Sequence, residues 1–218
     1  MPYQHQLPDG RGLPAGKVVC VGRNYAEHAK ELNNPVPAEP ILFIKPKTAI
    51  VSLHGPVAVP RGRGACHFET EMAVLIGAPL KSATEAQVQA AIAGIGLGLD
   101  LTLREVQDGL KAKGLPWEKA KAFDGACPLS RFVGPAGVDL ANVRIRLTVN
   151  GETRQDGNTS DMLTPVLPLI AYMSAFFTLE PGDVVMTGTP KGVGPLLAGD
   201  KLRVVLGDDL LVVETEAT

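Results

Sequence analysis

The chain has 218 residues, 45% of them hydrophobic and 20% charged, which suits one large domain with a sizeable core. Its 21 basic and 23 acidic residues give a formal charge of −2 with no long like-charge run, which argues against nucleic acid as the main partner. Cys20, Cys66 and Cys127 are scattered and odd in number, no apolar run approaches the ~20 residues of a bilayer span, and the start lacks a secretory apolar segment. A cytoplasmic protein with no membrane partner is expected.

Residues 1–15 read as an extended N-terminal lead, with His5 in a disordered stretch. "GKVVCVG" (16–22) is a β-rich run, and "RNYAEHAKEL" (23–32) has helical character before the turn-rich "NNPVPAEP". "ILFIKP" (41–46) reads as a strand ended by Pro46, and "GPVAVPRGRG" (55–64) as a short edge strand with a Gly/Arg turn. Residues 68–76 of "CHFETEMAVLIG" form a strand. "SATEAQVQAAIAG" is a helix capped by Ser82 or Thr84. The glycines of "GIGLGLDLT" (94–102) allow close backbone approach in a β segment.

"REVQDGLKAKG" (104–114) predicts a short helix, and "LPWEKAKAFDGACPL" a loop with one helical turn. The remainder is strand-dominated: "VRIRLTV" turns at Asn150-Gly151, a strong hairpin signal. A helix lies in "VLPLIAYMSAFF", followed by the strand "VVMTG" and a last strand pair turned at Asp208-Asp209. No linker or repeat divides the chain. Strands outnumber helices without regular βαβ units, so the expected class is mostly β with peripheral helices (α+β), a single domain over 1–218. The glycines at 94–98 do not make a dinucleotide-binding GxGxxG unit, and "GTPKGVG" is not a Walker A sequence.

Glu69 and Glu71 pose the chemical question. Alternation places both on one strand face, where two carboxylates repel each other and are costly to bury uncompensated. Solvent exposure would explain the pair by itself. Asp100 interrupts an apolar segment, and three carboxylates from two strands could converge on Mg²⁺ or Mn²⁺ rather than on structural Zn²⁺. The spacing leaves exposure and metal binding level. An ion among three carboxylates would retain one negative charge, so an anionic substrate would need cations nearby; Lys45, Lys47, Arg104 and Lys121 are candidates. His28 and Glu31 share a helix face at i,i+3, as a solvated surface pair or as a carboxylate-oriented base. His67 reads as a core-edge residue, and His54 lacks a chemical partner.

The ordered stretches "VCVGRNYAEHAKEL", "FIKP", "HFETEMAVLIG", "LGLDLTLREVQ", "KAKAFDGACPL", "NGETRQDGNTSDML" and "LEPGDVVMTGTPKGVG" together resemble the fumarylacetoacetate hydrolase family. The similarity runs over residues ~16–215 and is nearest to its short acylpyruvase, oxaloacetate decarboxylase and oxaloacetate tautomerase branch. The resemblance implies a mixed β-roll like that family's C-terminal domain, paired as a homodimer. It implies Glu69, Glu71 and Asp100 as Mg²⁺/Mn²⁺ ligands, His28 and Glu31 as a water-activating pair, and Lys121 as an active-site lysine. Arg23, Lys45, Gln107 and Thr189 fall at positions near substrate, with donors around Gly188-Thr189 holding a carboxylate. Arg104 is also family-like.

The expected substrate is a small 2-oxo or 2,4-diketo acid. The expected reaction is acylpyruvate hydrolysis, C–C cleavage to pyruvate and a carboxylic acid, with oxaloacetate decarboxylation. Keto–enol tautomerisation of oxaloacetate is the alternative, and a non-catalytic β domain with a structural cation is the rival of another class.

Overall fold

A computed structural model describes residues 3–7 and 9–218. In chain order the strands are β1 (Gln4–Gln6), β2 (Gly12–Pro14), β3 (Val18–Gly22), β4 (Ile41–Lys45), β5 (Ile50–Ser52), β6 (Cys66–Phe68), β7 (Thr70–Ile76) and β8 (Ile92–Leu99). They continue with β9 (Thr102–Leu103), β10 (Cys127–Leu129), β11 (Arg144–Val149), β12 (Glu152–Asn158), β13 (Val184–Met186), β14 (Gly194–Pro195), β15 (Lys201–Leu206) and β16 (Leu211–Glu216). The helices are α1 (Ala26–Glu31), α2 (Glu85–Ala91), α3 (Arg104–Lys111), α4 (Glu118–Lys121) and α5 (Val166–Phe176). Short helices around β-sheets match the mostly β, α+β expectation.

A seven-stranded mixed sheet runs β4-β3-β13-β7-β8-β10-β5. Its middle is dry: β7 is buried on both faces, and Val18–Val21, Leu97, Leu99 and Val184–Met186 pack around it. A strand covered on both sides reads as a continuous apolar run, which is why Glu71 stands out in β7. Beside it lie a four-stranded sheet, β12-β11-β15-β16, and a three-stranded one, β14-β6-β9. Close packing needs glycine at Gly98, where a Cβ would press on the Met186 thioether at 2.7 Å.

Local chemistry explains the elements. The Thr84 side chain accepts from Gln87 N–H while Gln87 returns a bond to the Thr84 N–H, a complete capping box starting α2. Asn150 (φ 52°) and Gly151 (φ 83°) make the left-handed pair that a tight β11–β12 hairpin requires. The expected 55–64 edge strand is reduced to an isolated bridge, Val57 with Ala217.

Two expectations change. The N-terminal stretch is not a loose lead where it is described: β1 and β2 pair antiparallel, and His5 is buried with Nε2 3.0 Å from the Gly182 carbonyl. Residues 1, 2 and 8 of that stretch lie outside the described residues. The strand expected over 68–76 breaks at Glu69. β6 leaves for the three-stranded sheet, while β7 stays in the large one. The neighbouring strand breaks at the same level, between β8 and β9, and Asp100 N–H donates to Glu69 O across the gap at 2.8 Å. Two acidic residues thus face each other where two sheets diverge.

Candidate active site

That seam gathers the three carboxylates. Glu69, Glu71 and Asp100 are all buried, and one oxygen from each lies within 4.8 Å of the others. Three cations answer them. Lys121 Nζ donates to Glu69 Oε2 at 2.8 Å, Asp100 Oδ2 at 2.6 Å and Thr102 Oγ1 at 2.7 Å. Arg104 pairs with the other Glu69 oxygen and donates to Gln107 Oε1 at 2.8 Å. Lys45, fully buried beneath the cluster, sits 2.8 Å from Asp100 Oδ1 and donates to the Lys121 and Ala126 carbonyls. Lys47 is exposed outside it.

The charges are shared unevenly. Burial pushes the Glu69 carboxyl up, but Lys121 and Arg104 outweigh it and hold the group well below the usual carboxylate range. Among the described residues, Glu71 has no cation in contact and accepts one hydrogen bond, from Gly188 N–H at 2.6 Å. Burial, then Asp100 and Glu69, drive its carboxyl well above the ordinary value. Burial pulls the Lys121 ammonium down, yet Asp100 and Glu69 prevail and raise it to about 12.

Such a site is built for a cation. Glu71 is buried beside two like charges without a counter-charge of its own. Asp100 Oδ1 accepts no well-directed hydrogen bond despite its proximity to Lys45. The donors are all carboxylate oxygens, the chemistry of Mg²⁺ or Mn²⁺ rather than of Zn²⁺. Residues and ion fit.

His28 lines the same cleft, buried at 5% exposure. Its Nδ1 is 3.4 Å from Glu31 Oε2, and Glu31 also accepts from Gly192 N–H at 3.0 and 3.2 Å. Burial lowers the imidazole pKa below its usual 6.5 despite Glu69 and Glu31 nearby. The histidine is therefore neutral near pH 7, with Nε2 left over for chemistry.

Arg23, Gln107 and Thr189 also line the cleft. Arg23 holds φ 61°, a left-handed conformation uncommon outside glycine and one that clusters at functional sites. The Thr189 hydroxyl donates to Thr70 O at 2.9 Å and accepts from Gln155 Nε2 at 2.8 Å. Gly188 and Lys45 do not line the cleft: one holds Glu71, the other supports Asp100 from below. The volume beside the carboxylates is narrow, about 30 Å³, and adjoins a chamber of about 250 Å³. A roomier cavity of about 510 Å³ near His54, Thr148 and Arg203 contains none of the acidic triad, so the chemistry, not the size, locates the site.

Sequence reasoning missed Gln155, Lys111 and Trp117. Gln155 is fully buried on β12; its Oε1 accepts from Thr70 N–H at 2.9 Å, and its amide donates to Thr189 Oγ1 and Pro190 O at 2.8 Å. No apolar residue in β12 marks an inward phase, and only its pairing opposite buried Leu147 shows that Gln155 points inward. Lys111 follows Arg104 and Gln107 at helical spacing (i, i+3, i+7), which puts all three on one face of α3.

A sequence profile described as "Fumarylacetoacetate (FAA) hydrolase C-terminal" matches residues 17–217. The oxaloacetate tautomerase YcgM of Escherichia coli (strain K12) is 58% identical over 206 residues, covering 93% of this chain and 94% of that protein. The mitochondrial oxaloacetate tautomerase FAHD1 of Bos taurus is 46% identical over 187 residues, covering 85% of each. A crystal structure of fumarylpyruvate hydrolase from Pseudomonas aeruginosa, in complex with Mn²⁺ and pyruvate, superposes with a TM-score of 0.92 at 32% identity. It covers 100% of this chain and 96% of that one.

Proposed function

The chain belongs to the fumarylacetoacetate hydrolase family, and on that footing we propose that it interconverts the keto and enol forms of oxaloacetate with a divalent cation held by Glu69, Glu71 and Asp100. The observation that carries the catalytic part is the convergence, in one cleft, of three buried carboxylates with a neutral, carboxylate-oriented histidine. A domain with a merely structural cation would have no use for His28 there. The named relatives favour tautomerisation over the C–C hydrolysis the residues first suggested.

Bound Mg²⁺ or Mn²⁺ would act as a Lewis acid toward a 2-oxo group and offset the negative charge of its enolate. The chain supplies the rest. Glu31 accepts the Nδ1 proton of His28 and fixes the tautomer, leaving Nε2 as the base for the proton at C3. Returning that proton to the C2 oxygen gives the enol, the reverse order gives the keto acid, and nothing leaves the molecule. Lys121, kept protonated, places a fixed positive charge beside the developing oxyanion. Charge balance favours a dianion. The three carboxylates and the three cations paired within the cluster cancel, so a divalent ion would leave two positive charges, to which Arg23 and Lys111 in the cleft lining add.

A hydrolytic reading has one observation behind it. The Pseudomonas aeruginosa fumarylpyruvate hydrolase shares the fold and was crystallised with Mn²⁺ and pyruvate. The deciding experiment compares enol- and keto-oxaloacetate, acetylpyruvate and fumarylpyruvate with and without Mg²⁺. Catalysed keto–enol equilibration that outpaces release of CO₂ or of carboxylic acid is expected; faster cleavage would replace this reading. The three cysteines are free and buried, which fits a reducing compartment, and among the described residues no helix is long and apolar enough to cross a membrane. The protein's proposed cytoplasmic location rests on the cysteines alone. Its pairing as a homodimer rests on the family resemblance, and sedimentation at assay concentration tests it.

A further inference from the structure

The narrow cleft and its larger neighbour meet at Lys111, which lines both together with Arg104, Leu32 and Asn34. Of the cations that line the narrow cleft, Lys121 and Arg104 are already bound to the protein's own carboxylates. Lys111 and Arg23 are not: among the described residues neither makes an ion pair. Asp108 shares the larger chamber but does not pair with Lys111.

Lys111 is also positioned. Its Nζ stands 5.5 Å from the Trp117 ring centroid, and Trp117 packs against Phe43 with centroids 6.0 Å apart. An aromatic face attracts an ammonium without neutralising it, so the charge is held in place and stays available. Arg104 and Arg23 line the narrow cleft with Lys111, and burial, then these two, press the Lys111 ammonium below its ordinary value against the opposing effect of Asp108, which with Glu31 lines the larger chamber. Leaving unpaired cations crowded at a half-buried mouth costs stability unless an anion visits it.

We propose that Lys111, with Arg23 beside it, forms a second anion subsite that binds the distal carboxylate of a dicarboxylic 2-oxo acid and so selects dicarboxylates over monocarboxylates. This rests on the oxaloacetate reading and sharpens it. The acidic triad and its ion take the end bearing the 2-oxo group, and the far carboxylate reaches the junction of the two chambers. The subsite explains why a cleft whose inner cations are all engaged still offers positive charge to a second carboxylate.

The test uses a pair of stable ligands that differ only by that carboxylate, malate and lactate, titrated calorimetrically into the intact protein with Mg²⁺, alongside KM for oxaloacetate. The wild-type chain is expected to bind malate at least tenfold more tightly than lactate, the scale of a charge-assisted contact. Lys111→Met should weaken malate about tenfold or more while lactate changes less than threefold, and should raise KM for oxaloacetate by a similar factor. Lys111→Arg should restore most of the difference. Lys113→Met, which removes the same charge from an exposed site just past α3, should leave the malate preference intact.

Equal weakening of both ligands by Lys111→Met, or no change in either, overturns the subsite. A wild-type enzyme with Mg²⁺ that is inert toward oxaloacetate overturns the parent reading and this one with it. Normal turnover with unaltered KM in Lys111→Met removes this one alone.

Discussion

Replacing Glu71 by glutamine should stabilise the metal-free protein and abolish its response to metal. Glu71 is buried at 1% exposure, with like charges from Glu69 and Asp100 no farther than 4.8 Å and, among the described residues, a single hydrogen-bond partner, Gly188 N–H. Two unit charges at that spacing repel by about 3.5 kcal/mol at an effective dielectric of about 20. Lys45, Arg104 and Lys121 cancel part of the field from Glu69 and Asp100, which leaves about 1–3 kcal/mol to be relieved. Glutamine keeps the shape and the oxygen that Gly188 needs. For a chain of this length the gain corresponds to a Tm increase of about 3–10 °C in EDTA.

The pH dependence gives a second signature. The folded-state pKa of Glu71 lies above its unfolded value of 4.5, so between the two the native state holds a proton that the unfolded chain has released. Metal-free wild-type stability should therefore decline as pH rises above about 4.5 toward the folded value, and the variant should lack that slope. Differential scanning calorimetry with EDTA and with Mg²⁺, from pH 5 to 8, measures both. A Glu71→Gln protein with lower Tm in EDTA than wild type, or with an undiminished Mg²⁺-induced rise, would refute the electrostatic reasoning.

His28→Ala should lower kcat/KM at least about 100-fold yet keep the Mg²⁺-induced Tm rise, because the imidazole belongs to the proton path and not to the ion. Burial depresses the His28 pKa, and the neutral ring is the working form, so activity should fall as pH drops through a value below 6.5; an acid limb at or above 6.5 would count against it. Gln155→Leu strands the Thr70 N–H and loosens Thr189 and Pro190, which should cost about 2–4 kcal/mol; an unchanged urea midpoint would show these bonds to be dispensable. His5 is neutral in the native state because burial lowers its pKa, against smaller opposing effects of Gly182 and Asp183. The stability it contributes is present above the unfolded 6.5 and is lost as pH falls toward the folded value, so His5→Phe should show a smaller Tm loss than wild type between pH 8 and pH 5.

Much of the site was legible because its chemistry conflicts with its surroundings. A glutamate in an apolar strand and an aspartate ending a Gly-rich one are visible without coordinates, as are the i,i+3 pairing of His28 with Glu31 and the Asn150-Gly151 turn. The break at Glu69 was not. The sequence reads as one extended run across 66–76, alternating to Glu71 and apolar beyond it, and only the departure of β6 and β9 into another sheet interrupts it. Period-two patterning reports which face a residue occupies, not which sheet its strand joins. His5 escaped for a similar reason: a three-residue strand carries too little periodicity to be distinguished from a lead, and its burial depends on Gly182 and Phe132, remote in sequence. Lys45 was found, but its place beneath the cluster rather than in the cleft depends on the closeness of β4 to α4.

The same arithmetic of charge links folding to substrate choice. A cluster of three carboxylates alone would tear at the seam where the seven-stranded and three-stranded sheets diverge. Three cations drawn from β4, α3 and α4 hold it together, and only Glu71 is left without one in contact. On the proposed function, a divalent ion held there would relieve that residual imbalance and turn a balanced cluster positive. On that reading, the cations that serve to fold the site would become, with metal on the carboxylates, part of the field that a doubly charged acid meets. Stability without metal and affinity for the dianion would thus share Lys121, while Lys111 would serve the dianion alone. Removing Lys121 should weaken both together, whereas removing Lys111, which supports no carboxylate of the protein, should separate them.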